Sequence, residues 1–278
     1  MNRFVLPDDD QSSSLHATDS PQACGITSTL LDLNDEVGEV GSIPSVAHCL
    51  FGPRGYEPGY AYPLIVWIHS PDDNERQLNQ VMPHISLQNF VGVSPRGTLL
   101  QDSYPNGVST YSWQESPEQI FTALDRVKDC IDLACLRFNI DRSRVFLGGY
   151  DVGGTMALRL AWADPGSFAG VASFGGRFPR NHMPLRNFDA SRSLPLLLAY
   201  GKSGIDYSDT DLQSDLRLLH SAGFQRHTIN QYPCADELVT QMLKDFNSWV
   251  MKVVNGYDMC ETAKDALPDF LTKYESQN

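Results

Sequence analysis

The stretch RVFLGGYDVGGTMALRL, residues 144–160, decides the fold. Val145, Phe146 and Leu147 form a short apolar run, the signature of a buried strand. Thr155 to Ala163 is small and apolar, as in a helix packed on a sheet. Between them Gly149-Tyr150-Asp151-Val152-Gly153 must turn the chain sharply. Glycines two positions before and after Asp151 leave room for strand and helix to meet at close range. Aspartate tolerates a left-handed backbone better than most residues, so it suits the apex of such a turn.

Outward from this point, apolar runs recur at Val46–Phe51, Leu64–Ile68, Phe90–Val93, Phe168–Phe174, Leu194–Tyr200 and His227–Tyr232. Most are near-continuous rather than alternating, which predicts strands buried on both faces of a mostly parallel sheet. Amphipathic segments separate them. One opens at Ser116, an N-cap followed by Pro117, with Gln119 placed for a capping box. It carries Ile120, Leu124, Val127, Ile131, Ala134 and Phe138 on one face. A second follows Ser208 and stops at Gly223; a third runs from about Glu237 to Val254. Alternating strands and helices predict an α/β fold with helices on both faces of the sheet. We expect one domain over 23–256, a disordered acidic tail over 1–22 and a short helical segment over 257–278 that docks on the domain surface.

The formal net charge of the 278 residues is −13. So acidic a surface repels phosphate backbones and anionic membranes, so nucleic acid and membrane partners are not expected. No apolar run is long enough to cross a bilayer, and the first residues lack the apolar core of a signal peptide. The six cysteines form no C-x-x-C pair, which argues against a zinc or redox site and for reduced thiols in the cytoplasm. Cys130 and Cys135 fall on different faces of their helix. No cofactor is expected.

The flank GGYDVGGTMALRLAWADPGSFAGVASFGG resembles the phospholipase/carboxylesterase, depolymerase-like branch of the α/β-hydrolases. So do YPLIVWIHS at 62–70, LPLLLAYGKSGIDY and INQYPCADELVTQMLKDFNSWV. The resemblance covers Val46 to Val254 and implies the α/β-hydrolase fold. Its Gly149–Gly153 frame differs from the family's G-x-S-x-G nucleophile elbow at the apex alone, where Asp151 replaces the serine. The last turn, Tyr232-Pro233-Cys234-Ala235-Asp236-Glu237, has Asp236 where the family has its histidine. The family's acid aligns with Gly204, or with Asp206 if that loop is two residues longer. The oxyanion loop, His-Gly in the family, reads His69-Ser70-Pro71, and proline has no N–H to donate; Val152 would supply the remaining donor. Trp113 matches an aromatic of the substrate-side loop, whose plain role is packing, and His69 reads as a ligand of its own loop.

The resemblance therefore implies a hydrolase scaffold without serine-esterase activity, binding a small acyl or carbonyl ligand or a protein partner at the sheet's carboxyl edge. Three roles stay open for Asp151. It can cap the following helix through the N–H of residue 153 or 154. It can be a carboxylate nucleophile, although no histidine stands in the last turn to serve it. It can join Asp236, Glu237 and Asp206 in an acidic cleft that recruits a divalent cation, against the plain alternative that Glu237 caps the last helix.

Overall fold

A computed structural model of the chain describes residues 46–101, 109–181 and 187–256. The expected tails at 1–22 and 257–278, with Cys24 and Cys260, lie outside the described residues. In chain order the elements are β1 (His48–Phe51), β2 (Tyr62–Ile68), α1 (Gln77–Ile85), β3 (Val91–Pro95), β4 (Thr98–Gln101) and β5 (Thr110–Ser112). Then come α2 (Pro117–Arg137), β6 (Ile140–Tyr150), α3 (Val152–Ala163), a 3-10 turn (Pro165–Ser167), β7 (Gly170–Phe174) and α4 (Phe188–Ser193). β8 (Leu196–Gly201), α5 (Asp209–Ser221), β9 (His227–Tyr232) and α6 (Thr240–Val254) complete the elements of the described residues.

Seven strands form one sheet in the order β1-β3-β2-β6-β7-β8-β9. β1 runs antiparallel to β3 and every other pairing is parallel. Each apolar run singled out above falls on one of these strands. The reason is visible along β2, where every residue is buried. Leu64, Val66 and Ile68 join the core beneath α2 and α3, while Ile65 and Trp67 join the core beneath α1 and α6. With helices on both faces, a period-two strand has no polar side to show.

The helix ends follow local chemistry. Ser116 Oγ accepts the Gln119 N–H at 3.3 Å, one half of the expected capping box. A full box forms at Ser208 instead, where Asp211 returns a bond to the Ser208 N–H. Gly223 ends α5 with φ +77, as glycine allows. α6 starts at Thr240 rather than near Glu237, and its N-cap is Val239. Glu237 therefore does not cap it. Cys130 is buried in α2 and Cys135 is half-buried, as expected of different faces. Among the described residues no helix is long and apolar enough to cross a membrane.

Candidate active site

β6 passes into α3 through Asp151, whose φ of 55° and ψ of −124° lie outside the regions ordinary side chains prefer. Two backbone bonds hold this apex. The Asp151 N–H donates to Phe174 O at 2.9 Å, and the Thr155 N–H donates to Asp151 O at 3.1 Å. Glycine is required at two flanking positions. A Cβ on Gly149 would strike the backbone of Gly153, and one on Gly153 would strike the carbonyl oxygens of Ile68 and His69.

The expected capping role of Asp151 is not found. Its side chain makes no cap hydrogen bond to α3. A capping residue holds its oxygen over the first turn from an extended backbone, whereas positive φ carries this side chain off the helix axis.

The opposite wall is the turn after β9. The Asp236 carboxylate accepts the Ile205 N–H at 2.7 Å and the Asp206 N–H at 3.2 and 3.3 Å from its two oxygens. It also presses on Gly204, where an added Cβ would lie 2.6 Å from Asp236 Oδ1. Tyr150 donates its hydroxyl to Asp236 O at 2.8 Å, tying the elbow to the last turn. Arg177 donates to Asp206 O at 2.9 Å and fixes the same loop from outside. Asp236 is thus a clamp on the backbone of residues 204–206. Sequence reading gave no sign of this, because its partners are N–H groups some thirty residues away.

Asp151, Asp206, Asp236 and Glu237 do share one cleft, with Tyr200 and Tyr207 at its side. The cleft holds about 10 Å³, the room of a single water. Among the described residues no histidine lines it, and no group of three His, Cys, Asp or Glu converges as a metal site. The cation reading of Asp151, Asp236 and Glu237 therefore lacks the converging geometry it needs.

The loop after β2 is closed on itself. The Ser70 N–H donates to Gln77 Oε1 at 3.1 Å, and Gln77 Nε2 donates to Ser70 Oγ at 2.6 Å and Asp73 Oδ2 at 2.9 Å. Trp67 Nε1 reaches the same Gln77 oxygen at 2.8 Å. His69 is fully buried, and burial holds its ring well below the usual histidine range. Its Nε2 accepts the Gly97 N–H at 3.0 Å, so Nδ1 carries the proton and donates to Ser70 O at 2.8 Å. His69 serves its own loop, as read from the sequence.

Trp113 is 5% exposed and donates Nε1 to His69 O at 2.9 Å. Ser70, Pro71, Trp113 and Val152, expected as oxyanion or pocket residues, do not line the elbow cleft. Gln77 draws Ser70 back onto α1, Trp113 packs beneath the loop, and Val152 leans on the core as the first residue of α3. Gln77 escaped the sequence reading because Pro83 lies within its helix and masks it.

Comparison with known proteins agrees with this architecture. No curated protein sequence matches the chain. Among solved structures it resembles Arabidopsis thaliana SOBER1 at 19% identity and TM-score 0.57, over 70% of this chain and 100% of that one. It resembles the Bacillus cereus carboxylesterase at 18% and 0.58, over 75% and 95%, and Zea mays acyl-protein thioesterase 2 at 17% and 0.58, over 75% and 99%. At such identities the likeness shows the α/β-hydrolase fold. The Phospholipase/Carboxylesterase family profile matches residues 60–254, well over half of the sequence, and the chain belongs to that family.

Proposed function

We propose that this family member lacks serine-esterase activity and works in the cytoplasm as a binding protein, with a protein partner at the carboxyl edge of the sheet. The observation that carries the reading is the Asp236 clamp. Acyl transfer by a triad needs a base within hydrogen-bond reach of the nucleophile and a third group to orient it. Here the last turn offers a carboxylate already bound to the N–H groups of Ile205 and Asp206, in a cleft that Asp151 also lines. A fixed anion at the apex opposes the negative charge that ester cleavage develops beside it. The narrowness of the cleft, about 10 Å³, favours a partner on the rim over a small acyl or carbonyl ligand within. Ile205, 88% exposed beside the cleft, gives that rim an apolar contact. Four free thiols among the described residues suit a reducing compartment.

The test is active-site labelling and ester turnover. A fluorophosphonate probe should not label the protein, and p-nitrophenyl acetate should turn over no faster than with Asp151→Ala. The double variant Asp151→Ser, Asp236→His should remain inactive, since Ser70 and Pro71 still offer no oxyanion donor. Stoichiometric labelling, or turnover abolished by Asp151→Ala, overturns the reading. A covalent ester on Asp151 after exposure to an alkyl halide or epoxide replaces it with the carboxylate-nucleophile alternative.

A further inference from the structure

We propose that a groove between α4 and the second half of α5 binds an amphipathic monocarboxylate, an aliphatic chain with one anionic head. None of its lining residues lines the elbow cleft, so the inference stands apart from the reading of that cleft. The groove has a volume of about 950 Å³, at the upper end for small-ligand sites. Phe178, Leu219 and Phe224 are its buried floor. Phe188 and Leu218 also line it, and they are 42% and 43% exposed, an unusual state for large apolar side chains that stand together. The groove is formed in advance. Phe178 and Phe224 pack on Trp162 at ring distances of 5.0 and 6.0 Å. The Arg192 guanidinium lies 4.8 Å from the centroid of the Phe188 ring and pairs with Asp189, which braces that wall. Little protein freedom is then lost when a ligand arrives.

The charges select the head group. Among the described residues the only charged groups in the lining are Arg180 and Arg217. Arg180 Nη2 donates to the buried Asp215 carboxylate at 2.9 Å, so its charge is already balanced. Arg217 is exposed, and no ion pair or hydrogen bond holds its side chain among the described residues. One uncompensated guanidinium beside an apolar floor matches a monoanion. A carboxylate carries one charge and accepts two parallel N–H bonds from a guanidinium. A phosphate monoester carries about −1.5 to −2 at neutral pH and exceeds that balance. An acidic peptide brings several carboxylates to a single free cation, on a chain whose net charge of −13 repels the rest. The polar and apolar parts of the groove are also set in line. Ser214, Arg217, Leu218 and Ser221 fall at i, i+3, i+4 and i+7, one face of α5. The Ser214 hydroxyl, one turn before Arg217, gives the head group a second donor, while Leu218 meets the chain.

Calorimetric titration of the full chain with dodecanoate, kept below the concentration at which it forms micelles, tests this. Wild type should bind one equivalent saturably, and its melting temperature should rise with added ligand. Arg217→Glu should weaken binding by about tenfold or more, the loss expected for a hydrogen-bonded charge pair. Leu218→Asp should weaken it to a similar extent. Both positions are exposed, so the fold should survive, and the melting of each ligand-free variant checks that it does. Arg137→Glu, a charge reversal on α2 outside the groove, should leave the affinity unchanged. Dodecanol, which keeps the chain and lacks the charge, should bind about tenfold or more weakly than dodecanoate. Failure of wild type to bind dodecanoate overturns the proposal, as does binding that survives both Arg217→Glu and Leu218→Asp. Equal affinity for dodecanol, or tighter binding of dodecyl phosphate, overturns the choice of a carboxylate head. A ligand-free dimer that Leu218→Asp splits would give the groove to a second copy of the chain, and overturns the proposal as well.

Discussion

Replacing Asp236 with alanine removes the one carboxylate that holds the loop at 204–206. Two backbone N–H groups, those of Ile205 at 2.7 Å and Asp206 at 3.2 Å, then lose a charged acceptor. A hydrogen bond to a charged group contributes about 1.5–3 kcal/mol where water is excluded. Ile205 is 88% exposed, so water takes over most of the first bond, and Asp206 is half-buried. The combined loss should be about 1–2 kcal/mol. For a domain of this size each kcal/mol moves Tm by about 2–4 °C, so the shift should be about 2–8 °C downward. Removing an anion near Asp151, Asp206 and Glu237 works the other way, through relief of repulsion. Asp236→Asn separates the two effects. It brings the same relief and keeps one acceptor oxygen, so it should lose about half as much. Calorimetry at neutral pH, with exchange of the Ile205 and Asp206 amides, is the assay. If Asp236→Ala melts at or above wild type with those amides unchanged, the clamp is not holding the loop and the reasoning fails.

Gly153→Ala should destabilise the fold by about 3 kcal/mol, since its methyl group would meet two backbone carbonyl oxygens that cannot move aside, and chemical denaturation measures the loss. Stability should also fall as pH drops through the unfolded histidine pKa of about 6.5. His69 stays neutral in the folded state, because burial lowers its pKa and Nε2 accepts from Gly97, while the unfolded chain takes up the proton. The group thus stabilises fully above that pH and progressively less below it, by up to about 1.4 kcal/mol per pH unit. His69→Gln should flatten the dependence of Tm between about pH 7.5 and about pH 5.5; an unchanged slope would assign it to another group.

The sheet was legible in the sequence because a strand covered on both faces leaves one kind of trace, a near-continuous apolar run, and β2 carries it throughout. The elbow was legible because glycines stood at the required spacing. What stayed hidden had weaker or contradictory traces. α1 contains Pro83, and the β4–β5 hairpin is too short for a period to emerge. α4 has six residues and buries only Ser191. The site was half legible. The sequence placed Asp151, Asp206, Asp236 and Glu237 along one edge, and they do line one cleft. It could not give the direction of a side chain. Asp151 misses the helix because of a backbone torsion, and Asp236 turns to N–H groups in a distant loop.

Gly153 lies in contact with the backbone of Ile68 and His69, which joins the elbow to the neighbouring strand end whatever residue occupies the apex. Its small size is demanded by packing, not by a reaction. A folded chain alone is then enough to require Gly149 and Gly153, whatever chemistry the apex performs. Lineages descended from such a scaffold should keep their glycine frame long after their chemistry has diverged.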